Sequence, residues 1–332
     1  MPSMTPSGLV QRWSAYQTQW NLRFQENLQA IPTFWQRFAS LVPSGAKKEA
    51  YIWMDRVGQM RKWVDERAFL NPAVRYQELE NDLFELSLNV KRTEIEDDTL
   101  GVYNNIPAEF AEAAKKWPDI QVSAALQAGA STVGYDGQNQ FDDGHPIDPD
   151  NAAKAFGGYT VQVNNFTGAA SGNQPGALPF SGPSVATAFQ TMASWVGPDL
   201  VPMNIVPDLV VVPPQLKFAA KEVLDVGSEL IIKQLALTSG YGAAAPTNVL
   251  KGTLDYIVNP YLANEPTTWY MLCTTRATKP LVWQLRESPE QVFFTRPTDT
   301  DVFLHDTFKY GIRGRGVAGF AQWFLAARCA AT

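Results

Sequence analysis

Residues 75–91 read Arg75-Tyr76-Gln77-Glu78-Leu79-Glu80-Asn81-Asp82-Leu83-Phe84-Glu85-Leu86-Ser87-Leu88-Asn89-Val90-Lys91. In the second half, Phe84, Leu86, Leu88 and Val90 alternate with Glu85, Ser87, Asn89 and Lys91. That two-residue period is the mark of a strand with one buried face. The Glu80-Asn81-Asp82 cluster ahead of it reads as a turn, so 75–79 and 84–90 are expected to pair as a long hairpin. A lone two-stranded ribbon is marginal in water. It must lie on its own body or on another chain.

Toward the N-terminus, residues 9–40 read as helix. Trp13, Tyr16, Trp20, Phe24 and Leu28 recur at spacings of three and four, Pro32 interrupts the segment and Pro43 follows it. This aromatic face suits the protein's own core, a neighbouring subunit or a membrane surface. Residues 1–69 carry nine basic and five acidic residues, whereas 70–100 carry eight acidic and three basic ones. Such runs are solvated faces, or a basic arm and an acidic loop that steer subunits together.

Toward the C-terminus, residues 107–129 read as a helix with Phe110, Ala113, Trp117, Ala124 and Gln127 at helical intervals. Pro107 suits its first turn, and Pro118 is expected to kink or split it. Residues 134–149 are turn-rich, and 157–184 are rich in Gly, Pro and Asn. Leu209-Val210-Val211-Val212 reads as a buried strand, and 215–237 as a helix with Phe218, Val223 and Leu224 on its apolar side. Strands follow at 255–258, 269–273 and 282–285. Near the end, Tyr310 and Ile312 alternate with Lys309, Arg313 and Arg315. Helices and strands come in blocks, which favours α+β over a doubly wound α/β sheet.

The 332 residues hold 27 Lys+Arg against 33 Asp+Glu, a net charge of −6, with 45% hydrophobic and 18% charged residues. This is globular composition, and a chain of this size buries roughly three quarters of its unfolded surface. The acidic balance argues against a protein whose main task is gripping nucleic-acid phosphates. Cys273 and Cys329 form no CxxC pair, which excludes a cysteine-based zinc site and a disulfide framework. The first eighteen residues lack the pattern of a secretory signal, and the apolar runs at 209–212 and 317–327 fall short of the ~20 residues that span a bilayer. A soluble protein of a reducing compartment, without membrane contact, is expected, and the Asn165-Phe166-Thr167 sequon is then a chance match.

Catalytic signatures are sparse. The two histidines are His145 and His305. Residues 182–186 miss the last Gly of a GxSxG elbow, and neither a P-loop nor HExxH occurs. Residues 314–319 fit GxGxxG, but no βαβ unit follows, so these glycines read as close strand packing or a bulge. Residues 136–148 gather Asp136, Asp142, Asp143, Asp148 and His145. The EF-hand template fails there, with Gly137 at loop position two and Ile147 where Glu is needed. The cluster reads as turn chemistry, a cation site or an acid/base cluster, and a metal-dependent hydrolase built on it is the rival from another class.

Several stretches together resemble the major head subunits of phage Mu and its prophage relatives. They are Phe38-Ala39-Ser40-Leu41-Val42-Pro43-Ser44 with Glu49-Ala50-Tyr51-Ile52-Trp53-Met54 and Met60-Arg61-Lys62-Trp63; Phe84-Glu85-Leu86 leading to Ile95-Glu96-Asp97-Asp98; Asp136-Gly137-Gln138 to His145-Pro146; 207–214; and Tyr310-Gly311-Ile312-Arg313-Gly314-Arg315-Gly316 running to Trp323. Residues 151–204 resemble nothing in the family and are expected to be the most divergent. The resemblance implies an α+β, Hong Kong 97-like capsid fold. Its parts would be an N-terminal arm (1–66), an extended hairpin loop (67–100), a peripheral domain with a spine helix (101–149 plus 291–332) and an axial domain (150–290). It further implies a non-enzymatic virion capsid protein without cofactor or metal, assembled in the bacterial host cytoplasm as hexamers and pentamers closing around double-stranded DNA contacted non-specifically. Scaffold, portal and decoration proteins are the implied partners, and a same-fold nanocompartment shell is the alternative. Candidate subunit-interface residues are Trp20, Phe24, Trp35, Trp63, Arg67, Phe84, Leu86 and Leu88.

Overall fold

The computed structural model describes residues 6–54, 74–91, 93–94, 97, 102–169, 175–225, 250–294, 299 and 304–331. The four-residue apolar run forms β8 (Leu209–Val212), parallel to β9 (Asp255–Val258) and antiparallel to β10 (Trp269–Leu272). Beyond β10 lie β13 (Ala326–Cys329) and β7 (Asn165–Phe166), giving the order β7-β13-β10-β8-β9. Every residue of β8 and β10 is buried, so the sheet is covered on both faces. The pleat sends Val210, Val212, Trp269 and Met271 into one core and Leu209, Val211, Tyr270 and Leu272 into another. Two helices close the first core, α3 (Gly182–Ser194) through Val185, Ala188 and Met192, and α4 (Lys217–Leu224) through Ala220 and Leu224.

The second core is closed by α2 (Ile106–Ala128), whose Trp117, Val122 and Leu126 face the sheet. Its other half buries Phe110, Ala111 and Ala114 against Trp20 and Phe24 of α1 (Pro6–Ala30) and Tyr310 and Ile312 of β12 (Thr307–Phe320). At 23 residues, about 34 Å, α2 is the spine that joins two cores. Pro118 does not split it, because packing along both halves outweighs one missing backbone bond. The adjacent Asp119 is buried, and its Oδ1 accepts the N–H groups of Phe34 and Trp35 at 3.1 and 2.9 Å. These donors open the short 3₁₀ turn Trp35–Arg37, so Asp119 ties the N-terminal segment to the spine.

A four-stranded sheet of order β1-β11-β12-β4 combines β1 (Ala39–Pro43), β11 (Leu281–Phe294), β12 and β4 (Asp82–Lys91). The GxGxxG run lies in β12 and its glycines do mark close packing. A Cβ at Gly316 would sit 2.7 Å from the Gln284 carbonyl oxygen, and one at Gly314 2.9 Å from the Trp117 ring.

Two sequence expectations need correction. Residues 75–91 do not fold back on themselves: β3 (Val74–Glu80) pairs with β2 (Lys48–Met54), while β4 pairs with β12. The residue between them, Asn81, is a buried joint rather than a solvated turn. Its amide nitrogen donates to Ser44 Oγ and the Ala46 carbonyl, and its oxygen accepts from Gln284 Nε2. Phe218 is 78% exposed, because the buried stripe of α4 runs through Ala220 and Leu224; the part of the expected helix at 226–237 lies outside the described residues. The C-terminal strand β13 joins the five-stranded sheet, and β11 begins at Leu281 in the four-stranded one.

Candidate assembly surface

The β2–β3 ribbon is fastened at its root. Glu49 accepts from Ser44 Oγ, Gly45 N–H and Ala46 N–H at 2.9, 2.8 and 3.0 Å, which holds its carboxyl below the usual range. Tyr51 on the inner face donates to Gln284 Oε1 at 2.8 Å, and burial pushes its phenol up to about 12. Lys47 and Lys48 pair with Glu80 at 2.7 and 3.3 Å, so part of the acidic run is matched within the chain. These exposed pairs are screened by solvent and add little stability.

The outer face of the ribbon is different. Ile52 and Tyr76 stand directly opposite each other across the ladder and are 67% and 69% exposed. Cross-strand apolar pairs support a ribbon only when something covers them. A complementary hollow lies elsewhere on the chain, between the edge strand β4 and α2. This groove of about 150 Å³ is lined by Phe84, Leu86, Trp117, Ile120 and Ile312, with Glu85 and Arg313 on its rim. Leu86 and Ile120 are each about 40% exposed beside it.

Among the interface candidates, Trp20, Phe24 and Trp35 are buried inside their own chain, Trp20 edge-on to Tyr310 at 5.3 Å. Their side chains pack inside the subunit, as the core-packing reading of the aromatic helix face expects for Trp20 and Phe24. Trp63 and Arg67 lie outside the described residues. Phe84 packs on Trp117 at 5.2 Å and Leu88 is half-buried against Tyr310 and its neighbours, leaving Leu86 as the accessible member of that face. Sequence reasoning missed Ile52, Tyr76 and Ile120. The available signal was the 48–54 run, in which apolar residues occupy both strand faces.

The 136–148 cluster does not assemble a metal site. Asp136 is engaged by His145 at 2.6 Å, Asp148 by Lys154 at 3.1 Å, and the Asp142 backbone N–H donates to Asn164. Among the described residues, no three His, Cys, Asp or Glu side chains converge to hold a metal ion. No described helix is long and apolar enough to cross a membrane.

Comparison with known proteins places this architecture. The family model described as "Mu-like prophage major head subunit gpT" matches residues 14–175 and 263–332. The unmatched stretch, 176–262, overlaps the expected divergent region but also takes in residues 207–214, counted above among the similar stretches. The major capsid protein of Escherichia phage Mu is 23% identical over 97% of this chain and 73% of its own. The procapsid of bacteriophage JBD30 aligns with a TM-score of 0.56 at 28% identity, over 98% of this chain and 76% of the other. The mature capsid of bacteriophage PhiM1 shares the fold alone, at 10% identity and a TM-score of 0.53 over 91% and 88% of the two chains. The α+β architecture is thus the Hong Kong 97-like capsid fold, and the chain belongs to the Mu-like prophage major head subunit family, whose members are structural capsid proteins and not enzymes.

Proposed function

We propose that copies of this chain assemble in the bacterial cytoplasm as hexamers and pentamers that close an icosahedral shell around double-stranded DNA. The carrying observation is the ribbon, rooted on its own sheet yet presenting Ile52 and Tyr76 to solvent. In this reading each ribbon lays that pair over the groove between β4 and α2 of the next copy, a heterologous contact that closes into rings. Covering the two side chains removes apolar surface from water, a gain repeated at every subunit. Leu86 of the groove takes part in the same contact, and Trp63 and Arg67 are proposed as further subunit-interface residues. Trapped DNA is held weakly and without regard to sequence, as a net charge of −6 dictates. Scaffold, portal and decoration proteins are its proposed partners.

Negative-stain microscopy of the purified full chain, alone and co-expressed with the neighbouring head genes, tests this reading. Rings or closed shells are expected in at least the second case, with nuclease-protected DNA in the complete particle. A monomer under both conditions, or shells enclosing protein cargo, would contradict it.

A further inference from the structure

Both strands of the ribbon leave the body at one polar spot. The chain enters β2 through residues 44–47 and leaves β3 through Asn81, and both exits meet Gln284 of β11, which is fully buried. Backbone carbonyls fix which way each amide is turned. Asn81 Nδ2 faces the Ala46 and Lys47 carbonyl oxygens at 2.9 and 3.5 Å, and Gln284 Nε2 faces that of Leu79 at 3.4 Å. Turning either amide over would set oxygen against oxygen. Asn81 Oδ1 therefore accepts from Gln284 Nε2 at 2.9 Å, and Gln284 Oε1 accepts the Tyr51 hydroxyl at 2.8 Å. Asn81 Nδ2 also donates to Ser44 Oγ at 2.8 Å. The Ser44 hydroxyl is left to donate to Glu49 Oε1 at 2.9 Å, with the Ala46 carbonyl at 3.1 Å as its other acceptor.

Donation thus runs one way, from Tyr51 to Gln284, to Asn81, to Ser44 and to Glu49, and returns to the strand where it began. We infer that this closed hydrogen-bond circuit sets the angle at which the ribbon leaves the subunit, which makes Tyr51, Asn81 and Gln284 positioning residues for the contact with the next copy; this rests on the assembly reading above. Tyr51 and Glu49 project from the inner face of β2 and Ile52 from the outer one, so one face fixes the direction in which the other is presented. Each bond orients the next, and tilting the ribbon would break several at once among groups buried from water. Tyr76 lies five residues before Asn81, about 17 Å along an extended strand. A tilt of about 10° at the root would move it by about 3 Å, whereas a gap of about 1 Å already forfeits up to about half of the dispersion attraction.

The other contacts of the ribbon with its body are less directional. Leu79 packs beside Gly319, and Arg75 pairs at 2.6 Å with Asp150, which is exposed. An apolar contact slides and a solvated ion pair yields, whereas a ring of directed hydrogen bonds has one geometry.

Tyr51→Phe opens the circuit by one hydroxyl, and Asn81→Ala removes its centre. Each is expressed as the full chain with the neighbouring head genes, beside wild type and beside Val210→Ala, a core substitution remote from the ribbon. Negative-stain microscopy reads particle diameters, and thermal melting of unassembled subunits reads folding. Uniform closed shells are expected from wild type and Val210→Ala. The two circuit variants are expected to fold but to give a spread of diameters, open tubes or no particle. Uniform shells of wild-type diameter from either circuit variant overturn the inference. So does equal misassembly from Val210→Ala, which would make stability and not angle the cause. If Asn81→Ala fails to fold, Tyr51→Phe decides alone. Wild type that closes no shell overturns the assembly reading, and this inference with it.

Discussion

The five-stranded sheet and the β2–β3 ribbon both carry apolar side chains on two faces, yet among the described residues only the first is covered on both. In β8 and β10 each residue has a core to enter, alternate residues of each strand entering opposite cores. In the ribbon, Tyr51 and Leu79 meet the body of the subunit, whereas Ile52 and Tyr76 meet water. Apolar residues on both faces of a strand therefore signal two-sided contact. Whether the second contact lies within the chain or between chains depends on what the rest of the fold brings over it.

The sharpest test of the contrast is in the sheet. Trp269 is fully buried and its indole N–H donates to the Leu178 carbonyl at 2.9 Å. Trp269→Ala should destabilise the subunit by about 3–5 kcal/mol, read as the shift in denaturant midpoint of unassembled protein. At the junction between N-terminal segment and spine, Asp119→Ala leaves two backbone donors without an acceptor and should cost about 2–4 kcal/mol in the same assay. Asp119→Asn keeps an acceptor oxygen. Burial pushes the Asp119 carboxyl up against the lowering effect of those donors and of Lys115 and Lys116. A native carboxyl with a raised value loses stability as pH rises through it, so Asp119→Asn should match or exceed wild type at pH 7 and lose that advantage toward pH 4. On the outer face of the ribbon, paired Ile52→Asp and Tyr76→Asp changes should move subunit stability by no more than ~1 kcal/mol, because among the described residues none covers those side chains and the cost left is that of two like charges facing each other across the ladder.

Most of the fold was legible in the sequence. The run at 209–212 announced a strand buried on both sides, and the 107–129 periodicity announced the spine despite Pro118, because both signals report burial within one chain. Strand pairing was not legible. The Glu80-Asn81-Asp82 cluster looks solvated, and nothing local reveals that Asn81 is enclosed by Ser44, Ala46 and Gln284, contributed by segments about 35 and 200 positions away. Likewise the spacing of Trp20 and Phe24 located an apolar helix face, while the choice between own core and neighbour rested on Phe110 and Tyr310 being placed to receive it. The role of the 136–148 segment was half legible. Its turn chemistry could be read, but the His145–Asp136 contact depends on Asn164 and Trp323 arriving from outside it.

The central claim is that the ribbon's outer pair serves the assembly and not the subunit. Sedimentation velocity of the Ile52→Asp/Tyr76→Asp chain beside wild type, under conditions where wild type forms shells, tests it most directly. The account predicts a slowly sedimenting variant whose melting temperature as a subunit stays within a few degrees of that of unassembled wild type. Wild-type-sized shells from the variant, or a subunit that no longer folds, would contradict it.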